Sequence, residues 1–320
     1  MNYRVASFVL LLAVFSHSAG AQTGDAGERE MRNETVTVYG KGPERAEAFV
    51  EAVVPKSFNR RLLARWDESI CISVVGPPVN QAQFIADRIS QSAIDVGLKA
   101  GGPGCSTNLL VAVTTDPDLL IQGLVKDQPQ VFGMNETGAV ITAGKVAFEQ
   151  FQTSERPVRW WAVTETVGAD GMPLDGDAYL GSGKSSTLAG NNPDSTRGIL
   201  GAYKNVPTIR ADSTRLSSNV RSDISRVIVI IDANAISGNS LAAIADYTAF
   251  VSLAEVDSDV DASPFPSVLN LFKASDEDRL LRTGMTDWDR AYLDGLYSAK
   301  RDAASTRRQK REISMHLSNK

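Results

Sequence analysis

Apolar and polar positions along this chain fall into two alternating rhythms. Residues 70–75 (ICISVV) and 108–113 (NLLVAV) are short, nearly continuous apolar runs, the pattern of strands buried on both faces. Between them, residues 80–98 place Phe84, Ile85, Ile89, Ala93, Ile94, Val96 and Leu98 largely on one side of a helix, with Asn80 as its N-cap. Gly101-Gly102-Pro103-Gly104 makes a turn, and Asp116 with Pro117 behind it opens a second helix over 116–126. Strand, helix, strand, helix is a βαβ rhythm, which packs helices on a sheet.

The same reading extends outward. Residues 35–39 (TVTVY) alternate as a strand, and 43–54 have helical spacing. A helix is expected over 143–151 and strands over 158–167, 199–203 and 227–231. Residues 240–256 are apolar nearly all round, so their helix belongs inside the core. Residues 264–272 (PFPSVLNLF) form a hydrophobic docking segment. Residues 286–297 form a helix capped by Thr286, with Asp289 at the reciprocal position of a capping box. Residues 168–198 are Gly-, Ser-, Asp- and Asn-rich, a long excursion of the kind that serves as a lid or stays disordered. The expected architecture is α+β: one domain over 34–298, a mixed sheet covered by the helices at 80–98 and 240–256.

The N-terminus changes the compartment. Arg4 precedes an apolar run from Val5 to Phe15, and Ala19-Gly20-Ala21 forms an A-x-A site, which together read as a signal peptide (1–21) cut after Ala21. The competing reading is an uncleaved anchor, but the run is shorter than the roughly 20 apolar residues that span a bilayer. No cysteine closes the run, which argues against a lipoprotein. Residues 22–33 are polar and read as disordered. The working protein is therefore expected to be periplasmic or secreted. Export permits a disulfide, and Cys71 and Cys105 are the chain's two cysteines. Closing that loop of about 35 residues would contribute roughly 3–4 kcal/mol in the loop-entropy model. The alternative, a Cys-Cys metal pair, lacks further ligands.

A formal charge of −5 argues against a general nucleic-acid binder. Residues 299–320 run the other way, with Lys300, Arg301, Arg307, Arg308, Lys310 and Arg311. They read as a solvated, frayed basic tail, with weak contact to headgroups or an acidic partner as the alternative. Candidate chemistry is limited by a shortage. The two histidines are His17, in the signal peptide, and His316, in the tail, so the folded core is expected to have none. Ser-His-Asp and Cys-His nucleophilic systems, and histidine-bearing zinc sites, would then be excluded.

Four motifs remain. GSGKSS over 181–186 resembles the end of a phosphate loop, but Ala178 stands where its first glycine belongs, so it reads as a polar loop. Asp257, Asp259 and Asp261 copy the opening of a calcium loop whose required glycine and closing Glu are Ala262 and Val268. They read as a solvated turn, and no metal or cofactor is expected. Asp246 beside Tyr247 offers a proton-transfer pair, set against a structural acid bonded to a helix terminus or an arginine. Arg159, Trp160 and Trp161 offer a binding surface, although strand neighbours point to opposite faces and one Trp is then core.

Several segments together resemble a family of uncharacterised secreted proteobacterial proteins. They are Cys71-Ile-Ser-Val, Gly104-Cys105-Ser-Thr-Asn108-Leu-Leu-Val, Pro157-Val-Arg-Trp-Trp161, Ala245-Asp246-Tyr247, Pro266-Ser-Val-Leu-Asn-Leu-Phe272 and Trp288-Asp289-Arg-Ala-Tyr-Leu293. The resemblance covers most of residues 65–297 and brings no assigned chemistry. A more distant likeness is to zincin-type metalloproteases, whose active-site helix carries His-Glu-x-x-His. The corresponding stretch here, Ile244-Ala-Asp-Tyr-Thr-Ala-Phe250, has no histidine, which implies such a fold without its metal site. The leading expectation is an exported, non-enzymatic binding or envelope-associated module whose partner is a protein or envelope component. The alternative is a hydrolase working through carboxylates, Asp246 first among them.

Overall fold

The computed structural model of the chain describes residues 42–56, 62–67, 69–134, 144–172, 216–273 and 284–319. The signal segment, the strands expected at 35–39 and 199–203, GSGKSS and most of the 168–198 excursion lie outside the described residues. All described residues belong to one compact unit, 39–320.

Among the described residues the centre is a five-stranded mixed sheet. Strand β5 (Val220–Asp232) is its axis. Strand β3 (Leu109–Thr114) runs parallel to its second half, Leu109 opposite Val227 through Thr114 opposite Asp232. Strand β2 (Ile72–Val75) runs parallel to β3 on the far side. The short β1 (Arg65–Trp66) pairs with the first half of β5, at Asp223 and Ile224, in the lane that β3 then continues. Strand β4 (Val158–Gly168) lies antiparallel on the other side of β5, with a register break between Val163 and Thr164. The α+β fold with a mixed sheet under helices is thus as the pattern predicts.

Strand alternation sorts the core into two layers. Val111, Trp160, Val227, Val229 and Ile231 face the larger one. There α2 (Val79–Asp95) and α5 (Leu241–Leu253) lie side by side over the sheet. Further out come α1 (Pro43–Val53), α6 (Asp287–Ser298) and α7 (Thr306–Ser318). Ala112, Trp161, Ile228 and Ile230 face the smaller layer, closed by α3 (Pro117–Asp127), a 3-10 turn (Pro129–Phe132) and α4 (Lys145–Thr153). Every residue of α5 from Ala243 to Leu253 is buried, the outcome its all-round apolar pattern demands. A second 3-10 turn, Val268–Lys273, packs on α5.

Cys71 and Cys105 are bonded, with their Cα atoms 5.8 Å apart. The bridge ties the approach of β2 to the approach of β3, and Asn108 reinforces it by accepting from Cys71 N at 2.7 Å.

Four expectations are corrected. The run at 70–75 is not a strand buried on both faces: β2 ends the sheet, half-buried, with Val75 exposed. Asn80 does not cap α2; the helix starts at Val79 behind Pro78. The basic terminus is not a frayed tail. Residues 306–318 are α7, capped by Ser305 and docked through Gln309, Ile313, Ser314 and Leu317. His316 therefore belongs to the folded body, half-buried over Gly295. Gly295 is what lets α7 come close: a Cβ there would stand 3.1 Å from Ile313 O. A glycine inside a helix costs about 1 kcal/mol against alanine, and close packing is the usual reason to keep one.

Candidate functional site

Helix α5 carries one acid into the core, Asp246, 3% exposed. Its partner comes from the adjacent helix α2. Arg88 donates through Nε to Oδ1, and through Nη2 to Oδ2 at 2.9 Å. Met285 N, just ahead of α6, donates to Oδ2 at 2.8 Å. Gly284 makes that approach feasible. Its φ of +136° is a glycine conformation, and any Cβ would overlap the Asp246 carboxylate. Both oxygens are thus held by two elements that the acid ties together. A carboxylate bonded this way has its oxygens committed to charge-assisted and backbone hydrogen bonds that join structural elements. What it presents instead is an oriented, half-exposed guanidinium. Above it opens a cleft of about 540 Å³, lined among others by Phe84, Arg88, Asp95, Asp246, Arg290 and Asp294.

Tyr247 does not join Asp246. Successive helix residues diverge by about 100°, and the phenol ring packs on Trp160 and Phe272, centroids 6.2 and 5.0 Å away. Burial pushes its pKa well above the ordinary phenol value. The two residues named as a proton-transfer pair therefore face different surroundings.

Arg159, Trp160 and Trp161 are 7%, 7% and 3% exposed, so their side chains form no open aromatic platform. Trp160 enters the larger core layer and donates from Nε1 to Val256 O at 3.1 Å. Trp161 enters the smaller layer and donates to Phe132 O at 3.0 Å. Arg159 bonds Gln152 O and Asp118. Beside Trp160, Trp161 and Ala162 lies a groove of about 460 Å³, whose walls include Val146, Ala147, Gln150 and Val256.

The acids of 257–261 diverge. Asp257 accepts from Lys56 N and Asp259 N, Asp259 faces Gln150 and Arg156, and Asp261 faces Lys273 and Ser263. They do not converge on one centre. No protein-family model, curated protein or solved structure matches this chain.

Two charged groups were not foreseen. Asp67 and Asp223 accept from Arg221 and Arg301, which binds β1, β5 and the segment after α6 into one network. Beside it Arg65, buried, donates to Leu296 O, and burial with the neighbouring Arg301 charge lowers it to about 10. The second is Asp289. Its capping box with Thr286 is as expected, but its carboxylate is fully buried and also accepts from Ser267 Oγ at 2.6 Å and Val268 N at 2.8 Å. It pins the second 3-10 turn to the start of α6.

Burial pushes Asp289's pKa above the ordinary carboxylate value, against the pull of its donors. A carboxyl with a raised folded pKa binds protons more readily folded than unfolded, so its contribution is fullest below the unfolded value and fades as pH rises through the folded one. The stability gap between the natural chain and Asp289→Asn is expected to widen as pH falls from 7 toward 4. Urea unfolding at several pH values measures it; a gap that narrows on acidification refutes this.

Proposed function

We propose that the chain is an exported binding module and that Asp246 serves its architecture. The observation that carries this reading is the fate of Asp246, whose two oxygens are engaged by Arg88 and Met285 N. The foremost acid for a carboxylate hydrolase is thereby committed to holding α2, α5 and the start of α6 together. The signal-like N-terminus supports export, as does the Cys71–Cys105 bond, which persists in oxidising compartments. Among the described residues no helix is long and apolar enough to cross a membrane.

Expression in a bacterial host followed by N-terminal sequencing of the periplasmic and secreted fractions is expected to give a chain beginning at Gln22. Recovery only of chain starting at Met1 in the cytoplasm would defeat the export reading. The purified chain is expected to leave chromogenic glycosides, esters and peptides unchanged. Turnover abolished by Asp246→Asn, in a variant that still folds, would establish the hydrolase instead.

A further inference from the structure

We infer that the outer edge of β2 is the contact through which two copies of this chain join, strand to strand, into one continuous sheet about a two-fold axis at Ser73. Leu109 N donates to Cys71 O at 3.1 Å, which sets the phase of the β2–β3 ladder. Ladder bonds alternate along a strand, so Cys71, Ser73 and Val75 turn peptide groups to β3 while Ile72 and Val74 turn theirs outward. Among the described residues those outward groups have no partner. The edge is accessible: Ile72, Ser73 and Val74 are half-buried and Val75 is 48% exposed.

An open edge of this kind is normally guarded by proline, lysine, a bulge or a covering element. Residues 72–75 (ISVV) contain none of the first three. The sheet continues past β2 only at the strand's approach. There Ile70 N donates to Lys99 O, and Gly101 N to Ile70 O, both at 2.8 Å, so residues 99–101 fill the outer lane beside Ile70. At the other end the chain turns away at Gly76, whose φ is +100°, and Pro77 and Pro78 follow. The open stretch is therefore short and has a defined stop at each end.

These limits select β2 itself as the occupant. With the axis at Ser73, antiparallel pairing sets Ile72 opposite Val74 of the second copy and Val74 opposite its Ile72. Each pair exchanges both N–H···O=C bonds, which uses every outward group of the strand. Gly76 of each copy then stands opposite Ile70 of the other, so each strand leaves the lane where residues 99–101 fill it. A strand that ran straight on would collide with that loop. Charge agrees with this choice. No charged residue occurs from Ser69 to Ala86, so two copies of a chain of charge −5 can share this surface without opposing like charges. Of the charges on α2, Arg88 turns to Asp246, and Asp87 and Asp95 lie on its exposed face, as Lys99 does in the loop behind it. The two-fold axis keeps both α2 helices on the same face of the joined sheet. At 100° per residue the flank of α2 opposite Arg88, away from α5, carries Val79, Gln83, Ala86 and Ser90. It is uncharged and mostly small, which suits helix packing at about 8–10 Å. Val79, 85% exposed, lies on it.

This pairing goes beyond the binding reading and does not depend on it. In analytical ultracentrifugation the full mature chain is expected to sediment as a dimer that dissociates on dilution. Val74→Pro removes one outward N–H per copy without touching the β3 ladder, a place where an edge strand tolerates proline. It is expected to weaken the dimer by about tenfold or more, since two hydrogen bonds are lost. Ser73 stands opposite itself across the axis, with Cα atoms about 4.5 Å apart. Ser73→Lys and Ser73→Asp are therefore each expected to give monomers, and an equimolar mixture of the two to restore the dimer. This pair of variants covers the case where the proline variant fails to fold. The inference is overturned if the natural chain sediments as a monomer at every concentration, if its dimer ignores Val74→Pro and both charges, or if the mixture stays monomeric. It is also overturned if, in the Ser73→Lys monomer, the Ile72 and Val74 amides are as protected from hydrogen exchange as those of Ser73 and Val75, since the chain itself then covers the edge.

Discussion

Asp246→Ala is expected to destabilise the chain by about 3 kcal/mol, the lower end of the range for breaking a buried ion pair from one side. The lower end applies because Arg88 is half-exposed and can turn its guanidinium to water once released. Met285 N has no such freedom in its buried position and is left without an acceptor. For a chain of this size the loss is a fall in melting temperature on the order of 6–12 °C. Asp246→Asn is expected to lose less, because its amide oxygen can still accept from Met285 N. Scanning calorimetry of the natural chain and both variants measures the order. A catalytic acid gives the opposite pattern, since charged groups held for chemistry are commonly removed without loss of stability. An alanine variant that melts with the natural chain would therefore return Asp246 to the list of reacting groups.

Strand β3 and helix α5 were legible because their apolar runs, 108–113 and 240–256, are a direct print of burial. The run at 70–75 gave the strand β2 but not its place, since β2 ends the sheet and is only partly buried. Asp116, Pro117 and Thr286 announced their helix starts through capping chemistry, which is local. The first half of β5 was not legible. Residues 220–226 (VRSDISR) alternate weakly and carry charge, and that charge proves to be Arg221 and Asp223 paired across strands with Asp67 and Arg301. Pairing partners some 80 and 150 residues away leave no mark in a local window. The candidate site was half legible for the same reason. The unusual acid at Asp246 stood out in an apolar helix, but Arg88, 158 residues earlier, gave no sign of being its partner. At Arg159–Trp161 the residue types suggested an exposed surface, whereas all three side chains are buried, bonded to Gln152 O and Asp118, to Val256 O and to Phe132 O, partners that no local window reveals.

The basic C-terminus provides the largest expected effect. Removing residues 300–320 is expected to abolish cooperative folding of the chain. Gln309, Ile313 and Leu317 follow one another at four-residue steps and are all fully buried. Two of them are aliphatic, each worth about 1.5–3 kcal/mol in transfer from water. Gln309 Oε1 accepts from Leu63 N at 2.8 Å inside the core, so its loss leaves a buried amide unsatisfied. Arg301 leaves too, taking one of the two cations that neutralise Asp67 and Asp223. These losses reach the size of a typical total stability of about 5–15 kcal/mol. Point variants separate this account from general damage. Ile313→Ala is expected to cost about 2–5 kcal/mol, whereas Arg307→Ala, on the exposed side of the same helix, is expected to stay within about 0.5 kcal/mol. Denaturant titration of both distinguishes a docked helix from a solvated tail. Equal, negligible effects at 313 and 307 would mean that the basic residues, and not the buried face they conceal, define what this segment does.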